Sequence, residues 1–384
     1  MLAWIAAALA GVGVAQALAG YLAVRQFRAR PMPPAKTLPA VTVLKPLYGD
    51  EPLLEQALAS VCAQDYPRFQ VIFGVQDPND PARAVAERVR KRFADRDVSV
   101  VVDNSADGGN RKVANLINML PTAKHDVLVI ADSDIHVAPD YLSSLVAALE
   151  QPGTGLVTTL YSGLPATTSA VAALGATSIT HGFLPGALLA RALGRQDCLG
   201  ATMALRRDTL GAIGGFASLL HHLADDNVLG RLVRERGLAV RLATTVPATT
   251  VAEATMRDLF GHELRWGRTI RSLAPVQFAF SAVQFPLAWA LLALLVSGGE
   301  EWALAVGLGA WVARAMLAHG IDSALLRTQD RRPDAAPVWL LPLRDIMSVA
   351  VLLASYAGDR VVWRGRVMRA HADAYPVPRK VATT

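Results

Sequence analysis

A chain of 384 residues that is 52% hydrophobic yet 18% charged is greasier than an ordinary soluble domain, though its charges are segregated rather than absent. The formal charge of +6 would suit a nucleic-acid binder. Much of the excess, however, flanks apolar segments, where attraction to anionic lipid explains it, and no zinc spacing or aromatic-rich basic strand points to nucleic acid. Two cysteines, Cys62 and Cys198, give no disulfide framework and fit a reducing compartment.

Leu2 to Val24 carries no charge and is long enough to span a bilayer at about 1.5 Å per residue. Basic residues follow it (Arg25, Arg28, Arg30, Lys36), so residues 1–30 are expected to be a retained anchor with its carboxyl end in the cytoplasm. Pro31, Pro33, Pro34 and Pro39 make residues 31–40 a stiff linker. From residue 38 to 273 strand and helix patterns alternate, which predicts one α/β domain. Strands are expected at Val41–Leu44, 71–76, Val98–Val102 and Val127–Ala131, the last apolar throughout, and later near Gly155–Tyr161, Leu199–Leu205 and Leu238–Leu242. Helices are expected to start at Asp50-Glu51-Pro52, at Asp80-Pro81, near Val113 and at Asp225-Asp226. Residues 165–196, rich in Ala, Leu and Gly, are too interrupted to span and are expected to lie in the interface as amphipathic helices.

Residues 274–384 return to the membrane. Val276 to Gly298 is charge-free and of spanning length, and Trp302 to Gly320 is a further candidate weakened by Arg314. Arg268 and Arg271 place the start of the first of these on the cytoplasmic side. Pro337 to Ala357 contains Pro342, Arg344 and Asp345, and if it spanned it would carry the basic tail (Arg360, Arg364, Arg366, Arg369) outside. Two or three spans are therefore expected, with a preference for a hairpin broken near Pro342 and with Arg344 and Asp345 paired.

Chemistry concentrates where strands end. Asp77 closes one strand and Asp132-Ser133-Asp134 another, and an open α/β sheet binds ligands at the carboxyl ends of its strands. Two carboxylates separated by one serine offer hard oxygen ligands to Mg²⁺ or Mn²⁺ bridging to a diphosphate, although an Asx-turn explains the turn taken alone. Asp225-Asp226 could be plain helix capping, yet a carboxylate there could also serve as general base toward an alcohol. In His262-Glu263-Leu264-Arg265-Trp266 the arginine could reach a phosphate and the tryptophan could stack on a sugar; a membrane-surface helix is the plainer alternative. Lys112, in Asn110-Arg111-Lys112 after Gly108-Gly109, could contact a diphosphate.

Taken together and in order, these motifs resemble the inverting family-2-type glycosyltransferases with a GT-A fold. Leu44-Lys45-Pro46-Leu47, Val75-Gln76-Asp77-Pro78 with Asp80-Pro81, and Ala224-Asp225-Asp226 are similar to the ceramide glucosyltransferase family (glycosyltransferase family 21). Asn110 to Val113, Asn115 to Met119, Ala131 to Asp134 and His262 to Trp266 resemble that family's hopanoid-biosynthesis branch still more closely. The resemblance covers about Val41 to Leu273. It implies a GT-A nucleotide-sugar-binding domain with a mostly parallel central sheet, an N-terminal transmembrane helix and C-terminal transmembrane helices. It further implies that Asp77 contacts the uracil side of a UDP-sugar and Lys112 the diphosphate. Asp134 with Asp132 would hold the metal, Asp132 also facing the nucleotide-sugar, and Asp226 would be the catalytic base. Arg265 and Trp266 would close over the donor, with Asp225, His262 and Trp266 at the acceptor pocket. His262 stands where processive polysaccharide synthases carry Gln, which favours a single transfer. The implied donor is UDP-GlcNAc and the implied acceptor a hopanoid such as bacteriohopanetetrol, or UDP-glucose and ceramide in the alternative. The expected location is a bacterial inner membrane, with the domain facing the cytoplasm and no nucleic-acid partner. A nucleotide-sugar-binding membrane protein without turnover is the remaining, non-enzymatic reading.

Overall fold

The computed structural model describes residues 1–31, 35–325, 337–363 and 366–370. Pro33, Pro34, Arg364 and the end of the basic tail lie outside these residues.

The strands, in chain order, are β1 (Val41–Pro46), β2 (Phe69–Val75), β3 (Asp97–Val102), β4 (Val127–Ala131), β5 (Ile135–His136), β6 (Thr154–Thr158), β7 (Ser162–Pro165), β8 (Thr202–Arg206), β9 (Ala239–Leu242) and β10 (Ala248–Val251). A seven-stranded sheet runs β3-β2-β1-β4-β8-β6-β9. Its β3-β2-β1-β4 half is parallel, β8 is antiparallel to both neighbours, and β6–β9 is parallel again. Parallel strands with helices on both faces must be apolar on both faces, and β1, β2 and β4 are buried at every position. The two faces carry separate cores. One packs Val43, Phe73 and Val129 against Leu58, Val89 and Leu145; the other packs Leu44, Ile72 and Ile130 against Leu116, Met203 and Leu229. Each such side chain contributes about 1.5–3 kcal/mol on burial.

Helix starts follow sequence chemistry where a side chain caps. Asp80 accepts from the Ala82 amide ahead of Pro81, and Asn110 accepts from the Val113 amide. The first helix of the α/β domain departs from expectation. It begins at Leu54, not at Asp50-Glu51-Pro52, after Leu53 in a left-handed conformation (φ 59°) with no side-chain cap. A second, small sheet (β5-β10-β7) escaped the strand pattern because its strands are only two or four residues long.

Among the described residues, Leu2–Arg28, Ala170–Ala192, Glu301–Leu325 and Val338–Ser355 are long and apolar enough to cross a membrane. Pro275–Gln284 and Pro286–Val296 form a pair bent by 66° that would make a fifth. The expected break near Pro342 does not occur, since Pro342 sits in the first turn of a helix continuing unbroken from Leu341 to Ser355, while the segment expected to span from Val276 to Gly298 bends at Phe285–Pro286. The reason is electrostatic. Asp345 accepts the Leu287 amide at 3.0 Å, capping the second arm of the bend, and Arg314 approaches it at 3.8 Å. Arg344 grips Glu263 through two bonds of 2.7 and 2.6 Å. Both charges of the apolar segment are thus satisfied inside the protein, as a low-dielectric setting requires. Residues 165–196, expected to be too interrupted to span, instead hold a continuous helical stretch, Ala170–Ser178 and Leu184–Ala192 joined by a π-turn at Ile179–Phe183, that is long enough to cross a membrane although 61% of its most apolar part is buried inside the protein.

Candidate active site

Lys112 organises the site. It occupies the first turn of the Arg111–Met119 helix, is 7% exposed, and reaches Asp132 at 2.6 Å, Asp225 at 3.7 Å and the Gly200 carbonyl at 3.3 Å. One ammonium therefore ties the turn after β4 to the start of the Asp225–Glu235 helix. Burial alone would lower its pKa, but the facing Asp132 and Asp225 carboxylates outweigh burial and raise it, so the charge is kept.

The turn itself is braced from beneath. Lys45, fully buried within β1, donates to the carbonyls of Asp132 at 2.8 Å and Ile135 at 3.1 Å. Burial pushes its pKa down to about 8, opposed by Asp134 and Asp132. Asp134 accepts from the Thr249 hydroxyl on β10, and its carbonyl accepts the Thr250 amide at 3.1 Å. Burial and the neighbouring Asp132 raise its pKa. That like-charge strain is what a cation would relieve, and Asp132 keeps 37% of its side chain exposed. Among the described residues no cluster of three His, Cys, Asp or Glu side chains forms a closed metal cage. Asp132 and Asp134 therefore fit an open site whose remaining ligands come from elsewhere, as hard divalent ions accept from phosphates and water.

Asp225 and Asp226 open their helix with different environments. Asp225 is buried and accepts from the Asn110 side-chain amide at 3.1 Å, while its second oxygen has no hydrogen-bond partner. Asp226 accepts from the Asn227 amide at 2.7 Å and abuts Gly200, where an added Cβ would stand 2.9 Å from its Oδ2. Burial, then the Asp225 charge, push Asp226 up to about 7. A carboxyl poised there can take a proton near neutral pH.

His262 and Trp266 lie on the Met256–Leu273 helix, their rings in edge contact at 4.6 Å. His262 Nδ1 bonds Glu253, and although burial acts to raise Glu253, that contact holds it below its usual range. Trp266 packs with Tyr161 around Ile179 and Val251. Tyr161 connects this wall to the acids: burial, then Asp226, Asp132 and Asp134, raise its pKa. Arg265, on the same helix, acts electrostatically on Glu253. Asp77 stands apart from the acidic cluster. It is exposed in an open pocket of about 470 Å³ with Asn104, Asp107 and Arg111, the last adjacent to Lys112.

Sequence reasoning assigned no role to Lys45, Asn110, Gly200, Thr249 or Tyr161. A lysine inside a strand of otherwise apolar character was the one available signal, since the partners of the others are remote in sequence.

The family described as Glycosyl transferase family 21 matches residues 4–375. The ceramide glucosyltransferase of Komagataella phaffii is 35% identical over 125 residues, covering 32% of this chain and 24% of that protein. Ceramide glucosyltransferase 1 of Caenorhabditis elegans is 24% identical over 239 residues, covering 61% of this chain and 50% of that protein. The chain thus spans between about a quarter and a half of these relatives' length. The mannosyltransferase PcManGT from Pyrobaculum calidifontis, solved with GDP-Man and Mn²⁺, aligns with a TM-score of 0.53 at 21% identity. The alignment covers 93% of this chain and 99% of that one, and shows a shared mixed α/β, GT-A-like fold.

Proposed function

This chain belongs to glycosyl transferase family 21, and we propose that it moves a single sugar from a nucleoside-diphosphate sugar to the hydroxyl of a membrane lipid. The observation that carries the reading is the convergence of Asp132, Asp225 and the Gly200–Asp226 contact on the buried Lys112 ammonium.

In this reading Asp226 removes the proton from the acceptor hydroxyl as its oxygen attacks the anomeric carbon, inverting the centre. Lys112 and Arg265 hold the negative charge that develops on the departing diphosphate, which is the kind of contribution that dominates such transfers. Asp132 and Asp134 would hold a Mg²⁺ or Mn²⁺ ion, which when bound supplies further neutralisation at that diphosphate. Asp77 would face the base of the nucleotide, while His262 and Trp266 would wall the acceptor beside the buried Asp225. The apolar helices would keep the domain against the inner membrane of a bacterium, on its cytoplasmic face.

The motifs at Asn110–Val113, Asn115–Met119 and His262–Trp266 favour UDP-GlcNAc as donor and bacteriohopanetetrol as acceptor. The relatives' names favour a second reading, UDP-glucose and ceramide. Purified full-length protein given each donor with each lipid separates them by mass spectrometry of the glycolipid. N-acetylglucosaminyl-hopanoid is expected; glucosylceramide as sole product overturns the hopanoid reading, and no lipid-linked sugar from any pairing counts against transfer itself.

A further inference from the structure

Away from the acidic cluster, a pocket of about 420 Å³ opens where the carboxyl ends of the Leu2–Arg28 and Leu184–Ala192 helices meet the Tyr141–Leu149 helix and β9. No residue assigned above to sugar transfer lines it. Arg30, Arg191 and Arg241 do, and among the described lining residues there is no carboxylate; Asp197, which acts electrostatically on Arg191, is itself paired with Arg195.

Positive charge at two helix carboxyl ends is partly explained by the helix dipoles. That explanation does not reach Arg191. Its Nη2 donates to the Val240 carbonyl, but its Nη1 is buried with no hydrogen-bond partner. A buried guanidinium N–H left unmade is costly, so the Arg191 side chain gains from an acceptor that the protein does not provide. Arg241 is held nearby through Thr154 at 2.8 Å and the Pro152 carbonyl at 3.2 Å. Planar guanidinium groups converging from separate elements match the oxygens of a phosphate ester.

The surroundings identify the source of that phosphate. Ala15, Ala19, Leu22 and Gln26 are all exposed and share one face of the first helix, itself apolar enough to cross a membrane, and Arg30 follows just beyond its end. An apolar stripe therefore leads into a cationic pocket at the level where the two helices end. The geometry points to a second binding site, for the phosphodiester headgroup of an anionic membrane phospholipid, with its acyl chains along Ala15, Ala19 and Leu22. The site stands independently of the sugar-transfer reading, and it would seat the domain against the bilayer.

The test uses the full chain in neutral detergent, with phosphatidylglycerol, phosphatidylcholine and inorganic phosphate as probes and native mass spectrometry as readout. Phosphatidylglycerol is expected to be retained over phosphatidylcholine, with inorganic phosphate unable to displace it. Arg191→Gln with Arg241→Gln should weaken retention about 30-fold at roughly 1 kcal/mol per arginine, while UDP binding persists. Arg30→Gln with Arg241→Gln leaves the Arg191–Val240 bond intact and decides the matter if the first variant loses UDP binding. Equal retention of the two lipids, unchanged retention in a folded variant, or displacement by inorganic phosphate would each overturn the proposal.

Discussion

Replacing Asp226 by Asn should remove activity and at the same time strengthen the fold above neutral pH. The carboxyl sits beside Asp225 and against Gly200, and its pKa is pushed from an ordinary 3.8 up to about 7, first by burial and then by the Asp225 charge. The sign follows from proton linkage. Between those two values the native state keeps the proton that the unfolded chain has released, so stability falls as pH rises through the window. One unit of displacement corresponds to about 1.4 kcal/mol, which sets a ceiling of about 4 kcal/mol above pH 7. Relaxation and water penetration around the charged form reduce that ceiling, so a gain of about 1–2 kcal/mol is the working expectation for the neutral isostere. For a domain of this size that is a rise in melting temperature of about 2–6 °C. Thermal unfolding without divalent metal, at pH 5 and pH 8, should show the full gain at pH 8 and somewhat over a third of it at pH 5. Turnover by UDP release should fall about 10²–10⁴-fold, with UDP affinity kept. Turnover within a few-fold of the parent would remove Asp226 as base, and a lower melting temperature at pH 8 would refute the electrostatic reasoning.

Gly200→Ala places a methyl 2.9 Å from Asp226 Oδ2. It should lower kcat about 10–100-fold by displacing the base, with UDP affinity in equilibrium titration unchanged. Glu263→Gln or Arg344→Gln breaks the paired contacts of 2.7 and 2.6 Å between the Trp266 helix and the membrane segment. Each should cost about 3 kcal/mol in thermal stability, and the swap Glu263→Arg with Arg344→Glu should recover part of it. EDTA should abolish transfer, with Mn²⁺ or Mg²⁺ restoring it. Asp134→Ala should then raise the metal concentration giving half-maximal activity by about tenfold or more.

The sheet and the acids at its strand ends were legible because two rules act locally. Strands buried on both faces read as unbroken apolar runs, as in Val127–Ala131, and turns after them display their polar residues. Asp132 and Asp134 could be named on that basis, Asp225 and Asp226 as acids opening a helix, and Asp80 as a cap. What joins them could not. Lys112 finds Asp225 and Gly200 across large stretches of chain, and Asn110 finds Asp225 likewise. The start at Leu54 was missed because a left-handed leucine has no sequence signature, whereas the Asp50–Pro52 cap signal does. The bend at Phe285–Pro286 was not foreseen, and a break near Pro342 was expected where none occurs, for a related reason. Either proline could break a helix, and the choice is made by Asp345 capping Leu287 from a distant helix.

A structure of the full chain with UDP and Mn²⁺ tests the convergence on Lys112 most directly. The ion should sit between Asp132 and Asp134, the diphosphate against Lys112 and the uracil beside Asp77, with Asp226 facing the open space beyond. UDP bound elsewhere, or Asp226 turned away from the nucleotide, would contradict the proposed transferase site.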